Sequence, residues 1–276
     1  MINNKKKIRA IISYIPLIKN ILRKSGTSPL RGSYYYDIYK LHKERLVQSA
    51  FKFPGNFIGE IGPGDTLGVG ICAILDGFKQ YFALDIIHHS NSVKNIEALN
   101  EIIKLFPTSI EQSKLLKNEL ERLEDNNSIF KYYVPWNDES IIAENSLDLI
   151  ISNAVLEHVP SIDNIYKIMF KWIKPGGYMS HIIDYGAHEF SDNWQEHLYL
   201  NETYWKFLLH GRLYPINRLP HSMHVKRICE AGFELVLDLR IKDRRIDRKK
   251  IDNSIKALFN DDDLNTRSGH IIAKKK

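Results

Sequence analysis

Two cysteines in 276 residues, Cys72 and Cys229, stand far apart and without C-x-x-C spacing. That scarcity excludes a disulfide framework and a thiolate zinc site, and makes a reducing cytoplasm the expected setting. No run of about 18 consecutive apolar residues occurs, so no segment reads as a membrane-spanning helix. Internal repeats, low-complexity tracts and long Gly/Pro-rich linkers are also missing. With 43% hydrophobic residues, the chain can bury one full core with extensions.

Charge is unevenly spread. The whole chain carries +6, but residues 1–50 hold eleven Lys or Arg against Asp37 and Glu44, so that segment is +9 and the remainder is −3. The expected organisation is a basic helical cap at 1–50 and one domain at 51–276. Within the cap, the apolar run 11–22 is flanked by Lys5 to Arg9 and by Arg23 and Lys24. Residues 5–24 are therefore the candidate for peripheral contact with an anionic face, such as the inner face of a membrane. The plainer alternative is an amphipathic helix packed on its own domain. Nucleic acid is a weaker expectation: Tyr34, Tyr35, Tyr36 and Tyr39 could stack bases, yet such a cluster beside a pocket more often forms a lid or a wall.

The most informative stretch is Glu60-Ile61-Gly62-Pro63-Gly64-Asp65-Thr66-Leu67-Gly68, preceded by the apolar Phe57 and Ile58. An apolar strand that runs into closely spaced glycines builds a turn where main chain can touch a nucleotide-type ligand. The dinucleotide fingerprint would place a glycine at 67, where Leu67 stands, which disfavours NAD or FAD. A second apolar strand, Tyr81 to Leu84, ends in Asp85 about twenty residues later, where Rossmann-like sheets hold ribose hydroxyls. A third apolar run, Leu147 to Ile151, leads to Asn153, Glu157 and His158. Pro175-Gly176-Gly177 follows a helical segment and precedes another strand, Tyr178 to Ile183. Ala231-Gly232-Phe233-Glu234 and Ser268-Gly269-His270 introduce two final strands.

In this order the landmarks resemble the class I S-adenosylmethionine-dependent methyltransferases, with the resemblance strongest over residues 50–185. It implies an α/β fold: a Rossmann-like, seven-stranded, mostly parallel sheet with helices on both faces and an antiparallel C-terminal hairpin. It also implies S-adenosylmethionine as cofactor. Gly62 and Gly64 would approach its amino-acid portion and ribose, Glu60 would bind its ammonium end directly or through water, and Asp85 would hold the ribose hydroxyls. Trp136 or Asn137 would flank adenine, and Asn153 joins the cofactor side. Leu156-Glu157-His158-Val159, Pro175-Gly176-Gly177 and the segment Ser180 to Asp184 with His188 look like bacterial methyltransferases associated with glycan and surface-polysaccharide biosynthesis.

The implied reaction is O-methylation of a sugar or glycan-lipid intermediate. Another small-molecule or lipid acceptor, and an inactive methyltransferase-fold interaction module, are the alternatives. An alcohol must lose its proton as it attacks, and imidazole suits that task. His158, His188 and His181 are the candidate bases, the first two preferred. His181 and Asp184 are three apart in a strand, so an ideal strand points them to opposite faces. No residue spacing is diagnostic of a metal, so none is assigned; Asp184, His188 and a nearby carboxylate are the set a divalent ion would use. Residues 189–225, rich in Trp, Tyr, Arg and His, are the expected seat of the acceptor.

Overall fold

The computed structural model describes residues 31–123, 125, 127–136, 138–191, 193–212, 214–243 and 247–276. The proposed membrane-contact segment 5–24 and Asn137 lie outside the described residues. The elements run α1 (Gly32–Gln48), β1 (Phe57–Ile61), α2 (Gly68–Leu75), β2 (Gln80–Leu84), α3 (Ser92–Ile102), α4 (Ile110–Glu121), β3 (Phe130–Tyr133), β4 (Leu147–Asn153), α5 (Ile162–Trp172) and β5 (Ile173–Asp184). They continue as α6 (Glu202–Leu209), α7 (His221–Glu230), β6 (Phe233–Lys242), α8 (Asn253–Leu258), α9 (Asp261–Asn265) and β7 (Thr266–Lys275).

The seven strands form one sheet of order β3-β2-β1-β4-β5-β7-β6. β1 pairs in parallel with β2 and β4, β2 with β3, and β4 with β5, whereas β7 runs antiparallel to both β5 and β6. The expected mostly parallel sheet with an antiparallel C-terminal pair is thus present, and among these strands β7 alone points against the rest. β6 and β7 are joined through α8 and α9 rather than by a tight turn.

The parallel centre follows from composition. In β4, Leu147 to Ser152 are all buried, as strands covered on both faces must be. Leu149 and Ile151 join the cluster formed with α1 to α4, while Leu147 and Ile150 join the cluster formed with α5 and α7. Alternation from Leu149 to Ile151 divides the core into two layers, and Leu147, beyond the register step against β5, falls on the side of Ile150. In α5, Ile162, Ile165, Tyr166, Met169 and Trp172 recur at three- and four-residue spacing and form its buried face. Asn91 and Ser109 cap α3 and α4 by accepting the backbone N–H of Lys94 at 3.0 Å and of Gln112 at 3.1 Å.

One expectation changes. Pro175-Gly176-Gly177 is not a turn ahead of strand five but an irregularity inside it: the register steps from Leu147 opposite Ile173 to Leu149 opposite Tyr178, with Gly176 at φ +80°. The described part of the cap, α1, packs into the core. Tyr35, Tyr39 and Leu46 are buried in the first cluster, and His42 Nδ1 lies 2.8 Å from Ser180 Oγ in β5.

Candidate active site

Sheet order reverses between β1 and β4, so their connections leave in opposite directions and open a crevice at the carboxyl ends of the strands. A cavity of about 800 Å³ fills that crevice, within the usual size of a cofactor or small-ligand site of about 300–1,000 Å³. Gly62, Gly64, Asp85, Trp136, Asn153, His158 and His188 all border it.

The glycine turn has a steric reason. Gly62 adopts φ +70° and Gly64 φ +73°, conformations that glycine reaches without strain. A Cβ on Gly62 would lie 2.5 Å from Val155 Cγ2, so the absence of a side chain lets the turn after β1 close against the turn after β4. Asp85 is tied locally: its Oδ1 accepts the Ile86 amide at 2.7 Å, and Trp136 donates its backbone N–H to the Asp85 carbonyl at 3.1 Å. Burial raises the Asp85 carboxyl above the usual carboxylate range, opposed by the surrounding amides of Ile86, Ile87 and Gly64.

Glu60 lies outside the cavity lining. It is buried in β1 and accepts the Tyr81 hydroxyl proton in a short hydrogen bond. Burial pushes its pKa up to about 7, offset by the Tyr81 hydrogen bond and reinforced by Asp85. Direct contact with a ligand ammonium group, one of the two expected modes, does not match this placement.

His158 and His188 approach each other with ring centroids 5.1 Å apart, and His188 Nε2 lies 3.7 Å from Glu157 Oε1. Glu157 is buried, and burial holds its carboxyl well above the usual range, with Asp184 adding to the effect. Burial lowers His158 to about 4, with His188 contributing. His181 is a correction to the sequence reading: it is fully buried in the sheet, its Nδ1 is 2.8 Å from Ser152 Oγ, and it does not border the cavity. Burial lowers it to about 3, so it stays neutral as part of the core. Asp184 is likewise engaged elsewhere, accepting the Gly186 amide at 2.8 Å.

The insertion 189–225 packs in part on itself. Phe190, Trp205, Leu208 and Ile216 form a small core of their own, and Arg218 lies over the Trp205 ring while pairing with Glu202. Of the aromatic and basic residues singled out there, Tyr214 borders the cavity and is hydrogen-bonded to His89. Sequence reasoning missed His89, Ser161 and Asn164 as cavity residues; the His88-His89 pair, three and four residues after Asp85, was the available signal for the first. Tyr34 in α1 also lines the cavity, the wall position open to its tyrosine cluster.

Residues 108–180 match the family model described as a methyltransferase domain. The match spans 73 of the 276 residues, so that segment is similar to a methyltransferase domain. A putative sarcosine dimethylglycine methyltransferase from Galdieria sulphuraria has the same fold, with TM-score 0.52 at 10% identity over 87% of this chain and 86% of that one. A putative S-adenosylmethionine-dependent methyltransferase from Listeria monocytogenes aligns over 85% of this chain and 98% of its own at 14% identity, with TM-score 0.46. Phosphoethanolamine N-methyltransferase 2 from Haemonchus contortus, solved with S-adenosyl-L-methionine, aligns over 84% of this chain and 52% of its own at 16% identity, with TM-score 0.45. At these identities the likeness is one of fold. No curated protein sequence matches the chain.

S-adenosylmethionine is the methyltransferase domain's cofactor, and the residues present fit it. Asp85 would face a ribose diol, the bare backbone at Gly62 and Gly64 would admit the ligand closely, and Trp136 with Leu84 and Ile86 would offer an aromatic and apolar wall to a base.

Proposed function

We propose that this methyltransferase acts on a hydroxyl group of a sugar or glycan-lipid intermediate. The observation that carries the reading is that two imidazoles, His158 and His188, border the same cavity as Asp85 and the glycine turn. When bound, the cofactor supplies an electrophilic methyl group on a sulfonium. The chain supplies the rest. Asp85, Gly62 and Gly64 hold the cofactor at the β1/β4 crevice, and the histidine pair receives or directs the proton that an attacking hydroxyl must lose. Tyr214 and Tyr34 both contribute to the wall, so that acceptor and methyl donor meet in a confined, oriented pair, which is where much of the acceleration of such a transfer arises.

Incubation of the protein with methyl-labelled S-adenosylmethionine and panels of sugar nucleotides, lipid-linked sugars, simple phenols and amines tests the reading. Label in a sugar hydroxyl supports it. Label confined to amines, or to phenols, would overturn the acceptor assignment. A lipid-like acceptor is the second reading, because Val159, Pro160, Ile165 and Ile168 give the cavity an apolar side.

Among the described residues no helix is long and apolar enough to cross a membrane.

A further inference from the structure

Glu157, His158 and His188 bring one carboxylate and two imidazoles together, with a ligand atom of each within 4.8 Å of the others. Both Glu157 carboxylate oxygens, His158 Nδ1 and His188 Nε2 are buried without a hydrogen-bond partner. Buried polar atoms are almost always satisfied, so unpartnered atoms on three clustered residues ask for a missing partner. A carboxylate in that position is costly unless it is paired or neutralised. We propose that Glu157, His158 and His188 form a binding site for a divalent transition-metal ion at the acceptor end of the cavity. This inference deepens the proposed hydroxyl methylation and rests on it for its catalytic meaning.

Several features fit an ion better than a chance cluster. Atoms bound to one ion at about 2.0–2.2 Å sit roughly 3 to 4 Å apart, so the present spread needs only a small contraction. His158 Nδ1 is buried and has no hydrogen-bond partner, so its lone pair is available to an ion. His188 is held at φ +48°, an uncommon conformation for a residue with a side chain, at the start of a short 3₁₀ turn. The donor set of two nitrogens and one oxygen favours zinc, manganese, iron or cobalt over magnesium or calcium, which prefer oxygen alone. Glu157 forms the back of the site, while both histidines border the cavity, so coordination positions stay open toward an acceptor.

An acceptor hydroxyl on that open side would lose its proton more readily, and the proton would leave to water. The oxygen then forms its bond to the methyl carbon as the carbon–sulfur bond breaks, giving a methyl ether and the neutral thioether. The ion would thus take over the acidifying role, and the two histidines would hold it rather than act as free bases.

The test uses the full chain, stripped with chelator and dialysed. Cobalt(II) and zinc(II) are titrated by ligand-field absorption and calorimetry into the parent protein and into Glu157→Gln, His188→Ala and the exposed-site control His88→Ala. The expected result is one ion per chain in the parent and control. Affinity should fall at least about 100-fold in the other two, since losing even an outer-shell partner typically costs about 10- to 100-fold. Thermal melts in metal-free buffer keep a folding defect separate from a binding defect, and Glu157→Gln preserves shape if His188→Ala does not fold. Absence of stoichiometric binding in the parent, or equal binding in all variants, overturns the proposal. S-adenosylmethionine is titrated into the same samples: cofactor binding without metal binding leaves the hydroxyl-methylation reading standing and defeats the metal site alone.

Discussion

Replacing Gly62 by alanine tests the claim that the cofactor turn and the turn after β4 are built on each other. Two costs follow from the structure. Alanine at φ +70° pays about 1–2 kcal/mol for the left-handed conformation. Its Cβ would sit 2.5 Å from Val155 Cγ2 and 2.9 Å from Cγ1, and forcing extra atoms into packed surroundings typically costs about 1–3 kcal/mol. Gly62→Ala should therefore lose about 2–5 kcal/mol, or about 5–15 °C in melting temperature for a chain of this size. Val155→Ala separates the two costs, because it deletes both clashing methyl groups but leaves the backbone conformation unchanged. Differential scanning calorimetry of the two single variants and the double variant gives the cycle. The double variant should be more stable than the sum of the singles by about 1 kcal/mol or more. Calorimetric titration with S-adenosylmethionine on the same samples should show weakened binding in Gly62→Ala. A melt within about 2 °C of the parent, or strict additivity in the cycle, would refute the reasoning.

Asp85→Ala should weaken S-adenosylmethionine binding by about 10- to 100-fold, the worth of charge-assisted hydrogen bonds to a diol, as read by calorimetry; a change under threefold would remove Asp85 from the site. Asp148 accepts the backbone amides of Asn56 at 2.8 Å and Phe57 at 2.7 Å and pairs with Lys174, so it pins the start of β1 to β4. Asp148→Ala should cost about 2–4 kcal/mol in urea unfolding, whereas Lys174→Ala should cost about 1 kcal/mol or less because that ammonium is half exposed. Equal effects would contradict the structure. His42, His181 and His224 are buried and neutral, each lowered by burial to about 3 from an ordinary value of 6.5. The unfolded chain takes up protons that the folded chain refuses, so their contribution is complete above about pH 6.5 and is lost as pH falls toward 3, at about 1.4 kcal/mol per pH unit for each ring. Glu60, raised to about 7, acts in the opposite sense between about pH 7 and 4.5 and cancels roughly one ring. Melting temperature should therefore fall from pH 7.5 to 5.5, and by less in His181→Gln; an equal fall in the variant would show that His181 is not neutral in the core.

The sequence was most legible where one local rule sufficed. An apolar run entering Gly62 and Gly64, a second ending in Asp85 and a third ending near Asn153 mark parallel strands and their loops, because buried parallel strands are continuous in hydrophobicity and their carboxyl ends face the ligand. Those same positions border the cavity. Histidines were less legible, since imidazole serves equally as a buried hydrogen-bonding group and as a solvent-facing base. His181 and His188 differ by burial, which depends on what α5 and α7 place over the sheet and on β7 pairing beside β5.

The same distinction governs the rest of the chain. Sequence alone determined the layered α/β class, the order of strands and helices and the glycine turn, all of which follow from periodicity, composition and backbone sterics within short windows. Only the tertiary structure decided that α1 completes the core, that the aromatic insertion packs on itself with Tyr214 turned to the cavity, and that Glu157 joins His158 and His188. Residues 157 and 188 are separated by an entire helix and strand, α5 and β5. Their meeting is a property of how those elements stack, and no local spacing encodes it.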